Sequence, residues 1–327
     1  MTAHLWKKPE AVSTKAETAR HGTPRALLAL LEGMRPRHWV KNGVVFAGLV
    51  FAQEMLNLPS VLISLSAFAI FCALSSSVYL INDIADMRKD AAHPTKRNRP
   101  LPSGRLSVGA AALWAGGLAA IGLGVSGLIN LPFFLMAAGY FALNLAYSFA
   151  LKNMLILDVF SVAAGFVIRA AAGAEAIRVD ISPWLLVCSL LLALFLALSK
   201  RRHELVLLSE AAESHRSILA HYSPYLLDQM IAVVTASTLV TYTLYTMWPD
   251  TVQKFGTTGM VYTVPFVIFG IFRYLYLVHR REQGGSPERS LVLDIPMLVN
   301  VVLWLLVSVL VLYYFGGRLA EPGHGLG

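Results

Sequence analysis

Three aspartates, Asp83, Asp86 and Asp90, mark the stretch Asn82-Asp83-Ile84-Ala85-Asp86-Met87-Arg88-Lys89-Asp90. Read as one helix, the spacing i, i+3 and i+7 puts all three carboxylates on one face. Like charges this close repel and cost stability unless a cation sits among them. Oxygen ligands alone, with Asn82 as a fourth group, suit a hard divalent ion such as Mg2+. The stretch also lies on a boundary. Residues from Val61 to Ile81 are nearly all apolar or small, while His93-Pro94-Thr95-Lys96-Arg97-Asn98-Arg99-Pro100 is basic and turn-prone. Ionisable groups at the edge of an apolar run are costly and usually functional. The pattern predicts a metal-diphosphate site at a membrane surface. An acidic helix end, solvated or paired with Arg88 and Lys89, is the competing account.

Cations surround this motif in the sequence. Arg35-Pro36-Arg37-His38-Trp39-Val40-Lys41-Asn42 precedes the first apolar run. On a helix Arg37 and Lys41 would be i, i+4 and could address one phosphate, with Arg35 beside them. The same block could equally be an interfacial anchor. Lys200-Arg201-Arg202-His203-Glu204 offers three consecutive cations, with Glu204 on the face of Lys200. Lys96, Arg97, Arg99 and Lys152 complete the candidate phosphate-binding set. Asp158, Ser161, Gly165 and Arg169 form a polar stripe in an apolar run, near Tyr147. Such a stripe should face a cavity and not lipid. Asp158 and Arg169 lie about 16 Å apart along a helix axis. Each therefore needs its own partner, either a ligand or another helix. His93, His203 and His221 have no metal-ligand spacing, and no Gly-rich phosphate loop, Gly-x-Ser-x-Gly or Cys-x-x-Cys is present.

The elements that carry these residues are membrane helices. The chain is 56% hydrophobic and 14% charged, with mean hydropathy +0.61, against about 25% charged in soluble domains. Nine apolar segments predict an all-α integral membrane protein with nine spans: Val40–Leu56, Val61–Ile81, Val108–Leu128, Pro132–Phe149, Leu155–Glu175, Pro183–Ser199, Leu226–Trp248, Met260–Val278 and Leu291–Phe315. The expected layout is a flexible cytoplasmic tail over 1–35, a membrane domain over 36–316, and a short non-cytoplasmic tail over 317–327. Of the Lys and Arg residues, 22 fall on the side of the N-terminus and 3 on the other. The positive-inside rule then places the N-terminus and Asp83 in the cytoplasm and the C-terminus outside. The net charge of +8 is explained by these span ends and lipid headgroups, with no nucleic-acid motif. Cys72 and Cys188 sit inside apolar runs, which argues against a structural disulfide. Gly116, Gly117, Gly122 and Gly124, with Gly165 and Gly173, permit close helix packing within one subunit or in a homo-oligomer.

The stretch from Asn82 to Gly104 resembles the first signature of the UbiA superfamily of intramembrane prenyltransferases, and the nine-span layout extends that resemblance to most of the chain. It implies a helical bundle around a central cavity, with Mg2+ on the aspartate motif holding a diphosphate. The second family signature normally carries further aspartates after the fourth span; here that region has Tyr147, Lys152 and the single acid Asp158. The Arg-Pro-x-x-Trp-x-Lys-Asn block is similar to the decaprenyl-phosphate phosphoribosyltransferase branch. That branch implies transfer of 5-phosphoribose from phosphoribosyl pyrophosphate to decaprenyl (polyprenyl) phosphate in the bacterial cell membrane, feeding cell-wall arabinan and arabinogalactan synthesis. Asp83, Asp86 and Asp158 are then the expected catalytic residues, and Asn82, Asp83, Asp86 and Asp90 the metal ligands. The expected substrate-binding set is Arg35, Arg37, Lys41, Lys96, Arg97, Arg99, Tyr147, Lys152, Arg169, Lys200 and Arg201. The alternatives are a prenyltransferase acting on a quinone- or haem-type acceptor, and a transporter or lipid-binding protein. The second fits less well, because transporters carry inverted repeats and broken midplane helices, whereas here the polar groups gather at one face.

Overall fold

The computed structural model describes residues 23–92, 96–208, 221–280 and 293–316. The His93-Pro94-Thr95 part of the basic turn, the tail before residue 23 and the tail after Gly316 lie outside these. Among the described residues eight helices are long and apolar enough to cross a membrane. They are α3 (Leu58–Ala85), α5 (Val108–Ile129), α6 (Leu131–Phe149), α7 (Leu157–Ala176), α8 (Pro183–Leu208), α9 (Pro224–Met247), α11 (Val264–Arg280) and α12 (Ile295–Leu310), the last extended by a π turn over Val311–Phe315. The short helices are α1 (Thr23–Met34), α2 (Ala47–Phe51), α4 (Met87–Ala91) and α10 (Pro249–Phe255). The ends are capped as sequence chemistry dictates. Ser107, Asn130, Ser223 and Asp294 each accept a backbone N–H of the first turn, which satisfies a donor that would otherwise be orphaned in lipid.

The first apolar segment does not form a transmembrane α-helix. Pro36–Phe46 is a 3-10 helix that hands over to α2. A 3-10 helix rises about 2.0 Å per residue, so this short piece still reaches roughly 30 Å. It runs from the Asp83 end of α3, where Arg35 bonds Asp83, to the far end, where the Gln53 side chain donates to the Leu312 carbonyl at 2.9 Å. The first expected span is thus tightly wound backbone lying beside the eight long helices. It packs on α7 at a glycine: a Cβ on Gly173 would lie 1.9 Å from the Val45 carbonyl oxygen.

Helices neighbouring in sequence pack in turn, α5 on α6, α6 on α7, α7 on α8, α8 on α9 and α11 on α12, while α3 touches α5, α6 and α7. Phe51 of α2 reaches Trp304 of α12 with ring centroids 6.4 Å apart, which closes the bundle. Phe71, Phe133 and Tyr140 interlock edge-to-face between α3 and α6. On α5 the exposed Leu113, Trp114, Ile121 and Leu128 face outward, as expected of a lipid-facing surface. The packed region begins before residue 35. Ala29 and Leu30 of α1 are buried against Leu80, Leu101, Leu106 and Ala111, and Arg105 forks onto Glu32 at 2.6 and 3.0 Å. Ala29 and Leu30, with Gly33 close to Leu80, dock this part of the expected tail, while Leu27 and Leu28 stay exposed.

Candidate functional site

Asp83 ends the apolar part of α3 and is 1% exposed. The helix is interrupted at Asp86 and resumes as α4, which carries Asp90. The three carboxylates consequently do not share one partner. Asp83 and Asp90 converge on the same nitrogen: Arg99 Nη1 lies 3.2 Å from Asp83 and 2.5 Å from Asp90. Arg35 also bonds Asp83, and Lys96 stands 3.8 Å from Asp90. Asp86 turns across the site to Lys152, whose Nζ donates to both carboxylate oxygens at 2.9 and 2.8 Å. Arg35 is held by its backbone, with φ +55 in the left-handed region between α1 and the 3-10 segment. Its guanidinium lies 4.8 Å over the Tyr79 ring.

The second cluster lies at the same end of α7 and α8. Asp158 is fully buried, and both its oxygens are taken. Arg201 Nε donates to one at 2.6 Å, and the Tyr222 hydroxyl donates to the other at 2.9 Å. Arg201 also donates to Glu204 at 2.6 Å and to the Tyr147 hydroxyl at 3.1 Å. Burial pushes the Tyr222 hydroxyl up to about 12, so it remains a donor at neutral pH. The same oxygen accepts the Ile156 N–H at 2.9 Å. Ile156 has φ +68 and is the centre of a three-residue turn closed by Leu157 N–H to Leu155 C=O at 2.8 Å. A β-branched residue there is strained, and such strain clusters at functional sites. Asp158, expected to meet ribose or a second metal ion, is bonded to Arg201 and Tyr222 through one hydrogen bond at each oxygen.

Other expected residues are placed as follows. Arg169 is 7% exposed and lies deep in the bundle. It donates to the Tyr140 hydroxyl at 3.1 Å and to Asn42 at 3.4 Å, and stacks over Phe166 at 4.3 Å. Asp158 and Arg169 thus take separate partners from neighbouring elements. Arg37 and Arg97 are exposed. The shared face argued for Arg37 and Lys41 does not hold, since a 3-10 helix aligns i with i+3 and not i+4. Lys200 lies 4.0 Å from Glu204. Tyr222, Tyr140 and Asn42 were not foreseen. Asn42 carries a signal, a polar residue in an apolar run, but Tyr222 carries none.

Among the described residues no group of three His, Cys, Asp or Glu side chains is gathered as a metal cage. The donor chemistry nevertheless fits a hard ion. Mg2+ is commonly held by one or two carboxylates plus substrate phosphates and water, and Asp83 and Asp90 already share one cationic partner.

The model of the "UbiA prenyltransferase family" matches residues 43–295. The chain belongs to the UbiA prenyltransferase family. It is 30% identical over 94% of its length to the decaprenyl-phosphate phosphoribosyltransferase of Corynebacterium glutamicum, and covers 94% of that protein. It is 32% identical over 87% of its length to the protein of the same name from Mycolicibacterium smegmatis, covering 92% of it. The fold is similar to a UbiA homologue from Archaeoglobus fulgidus solved with GPP and Mg2+, with TM-score 0.65, 18% identity, and coverage of 87% of this chain and 99% of that one. The family fixes the class of this molecule as a multi-pass membrane transferase.

Proposed function

We propose that this UbiA-family enzyme transfers 5-phosphoribose from phosphoribosyl pyrophosphate to decaprenyl (polyprenyl) phosphate and releases diphosphate. The observation that carries this reading is the ring of cations on the motif carboxylates: Arg35 and Arg99 on Asp83, Arg99 and Lys96 on Asp90, Lys152 on Asp86. One diphosphate leaves little for so many cations to do; two phosphorylated substrates use them. The names of the two bacterial relatives agree.

Asp83 and Asp90 would hold Mg2+, with Asn82 and Asp86 nearest in sequence. When bound, the ion neutralises charge on the leaving diphosphate. Arg35, Arg99, Lys96 and Lys152 bind phosphate oxygens and stabilise the charge that develops there. The bond between ribose C1 and the diphosphate oxygen breaks, and the diphosphate keeps the electron pair. A lipid-phosphate oxygen forms the new bond to C1. The acceptor is already an anion, so no general base is required. Lys200, Arg37, Lys41 and Arg97 would meet the second phosphate, next to Arg201, which Asp158, Glu204 and Tyr147 hold. The product is the precursor of a lipid-linked arabinose donor for cell-wall arabinan.

The test is incubation of the purified protein with Mg2+, labelled phosphoribosyl pyrophosphate and decaprenyl phosphate. A labelled lipid is expected, lost on chelation and in Asp83→Ala. No labelled lipid, with product instead from a prenyl diphosphate and an aromatic acceptor, reverses the assignment.

A further inference from the structure

A cavity of about 410 Å³ opens at the end of the bundle remote from Asp83. Its lining includes the start of α8 at Pro183, whereas Arg201 on the same helix meets Asp158. The two ends are therefore about 27 Å apart along α8. The volume lies in the range of ordinary small-ligand pockets.

Two hydroxyl-bearing side chains line its wall, Tyr245, 1% exposed, and Thr251, 5% exposed. The charged groups on the lining are Asp180, Asp250 and Lys254. Lys254 is fixed there by donating to the Asp180 carbonyl at 3.1 Å. Trp184 and Trp248 stand with ring centroids 5.0 Å apart, while Phe51, Leu185 and Phe255 supply apolar wall.

We propose that this cavity binds the amine-phosphate headgroup of a zwitterionic, ethanolamine-type phospholipid in the leaflet opposite Asp83. The lining is a two-part match for such a headgroup. Asp180 and Asp250 attract an ammonium, and indole faces stabilise it further. Lys254, with the hydroxyls of Tyr245 and Thr251 on the same lining, attracts the phosphate. Two carboxylates against one ammonium give a net negative lining, which opposes a purely anionic lipid. Paired tryptophans at a helix-bundle end are the usual mark of a membrane–water interface, where the apolar wall can take the first part of the acyl chains.

The test uses the full chain in detergent, offered equal amounts of phosphatidylethanolamine and phosphatidylglycerol with identical acyl chains, and read by native mass spectrometry. One phosphatidylethanolamine per chain is expected to be retained in preference. Asp250→Asn and Lys254→Ala should each lower that retention about tenfold, the size of losing one hydrogen bond to a charged group. Lys254→Arg should restore it, which separates charge recognition from loss of the Asp180 contact. Equal retention of both lipids, a preference for phosphatidylglycerol, or unchanged retention in both Asp250→Asn and Lys254→Ala would overturn the proposal.

Discussion

Arg99 stands between two carboxylates that would otherwise repel each other, 3.2 Å from Asp83 and 2.5 Å from Asp90. A guanidinium in that position does electrostatically what a divalent ion does, and the two cannot both be there. Arg99→Ala is therefore expected to tighten Mn2+ binding to the substrate-free protein, by about tenfold if one charged hydrogen bond is at stake. The same variant should raise KM for phosphoribosyl pyrophosphate, because a phosphate ligand is gone. Electron paramagnetic resonance of free Mn2+ gives the first quantity and steady-state kinetics the second. Weaker Mn2+ binding in Arg99→Ala would show that Arg99 only orders the carboxylates.

The Asp158 cluster makes a different demand. Asp158 is fully buried and Arg201 nearly so. Removing one partner of a buried pair leaves an uncompensated charge and costs roughly 3–5 kcal/mol. Arg201→Ala should accordingly lower the unfolding temperature more than Arg99→Ala, whose guanidinium is half-exposed; equal shifts would refute the burial argument. Tyr222 adds a pH signature. Its hydroxyl is raised from 10.0 to about 12, chiefly by burial. Stability from the protonated form is fully present below pH 10 and falls as pH rises towards 12. The difference in unfolding temperature between the native protein and Tyr222→Phe should narrow over that window, and a constant difference would disprove the assignment.

At the scale of elements, the 3-10 crossing explains both what could be read from sequence and what could not. Eight segments announce themselves as α-helical spans, because about 20 apolar residues are needed to cross hydrocarbon. The first segment, Val40–Leu56, is short by that rule, and it folds as a 3-10 helix handing over to α2, with a steeper rise per residue than an α-helix. Hydropathy cannot report rise. The aspartates and basic clusters were legible because charges beside apolar runs stand out. Their pairings were not, since Asp86 with Lys152 and Arg169 with Tyr140 join residues far apart in the chain. The glycines divide in the same way. A Cβ on Gly173 meets the Val45 backbone, whereas Gly116 and Gly117 have nothing within 4 Å. Gly173→Ala is expected to abolish the monodisperse peak in size-exclusion chromatography. Gly116→Ala should be neutral or stabilise by up to about 1 kcal/mol, as for any open helical glycine. A large loss in Gly116→Ala would place that face against another subunit.

At the scale of the whole molecule, the ion-paired acidic clusters gather at one end. Arg35, Arg99, Lys152 and Arg201 all contact the acidic clusters at one end of the bundle, while Lys254 lines the cavity at the other. Basic residues near an anionic cytoplasmic leaflet gain about 1 kcal/mol each, so the asymmetry of 22 against 3 that the nine-span reading expects predicts a cytoplasmic Asp83 end. Both native cysteines are free and can be replaced by alanine to give a background without thiols. In that background, Lys254→Cys should react with a membrane-impermeant maleimide added to intact cells, and Arg97→Cys only after permeabilisation. Both are surface positions, so access and not burial controls the readout. The reverse labelling would turn the site outward. It would also remove the physical basis for a water-soluble, multiply charged donor, since phosphoribosyl pyrophosphate cannot cross the bilayer and must reach Asp83 from the side on which it is made.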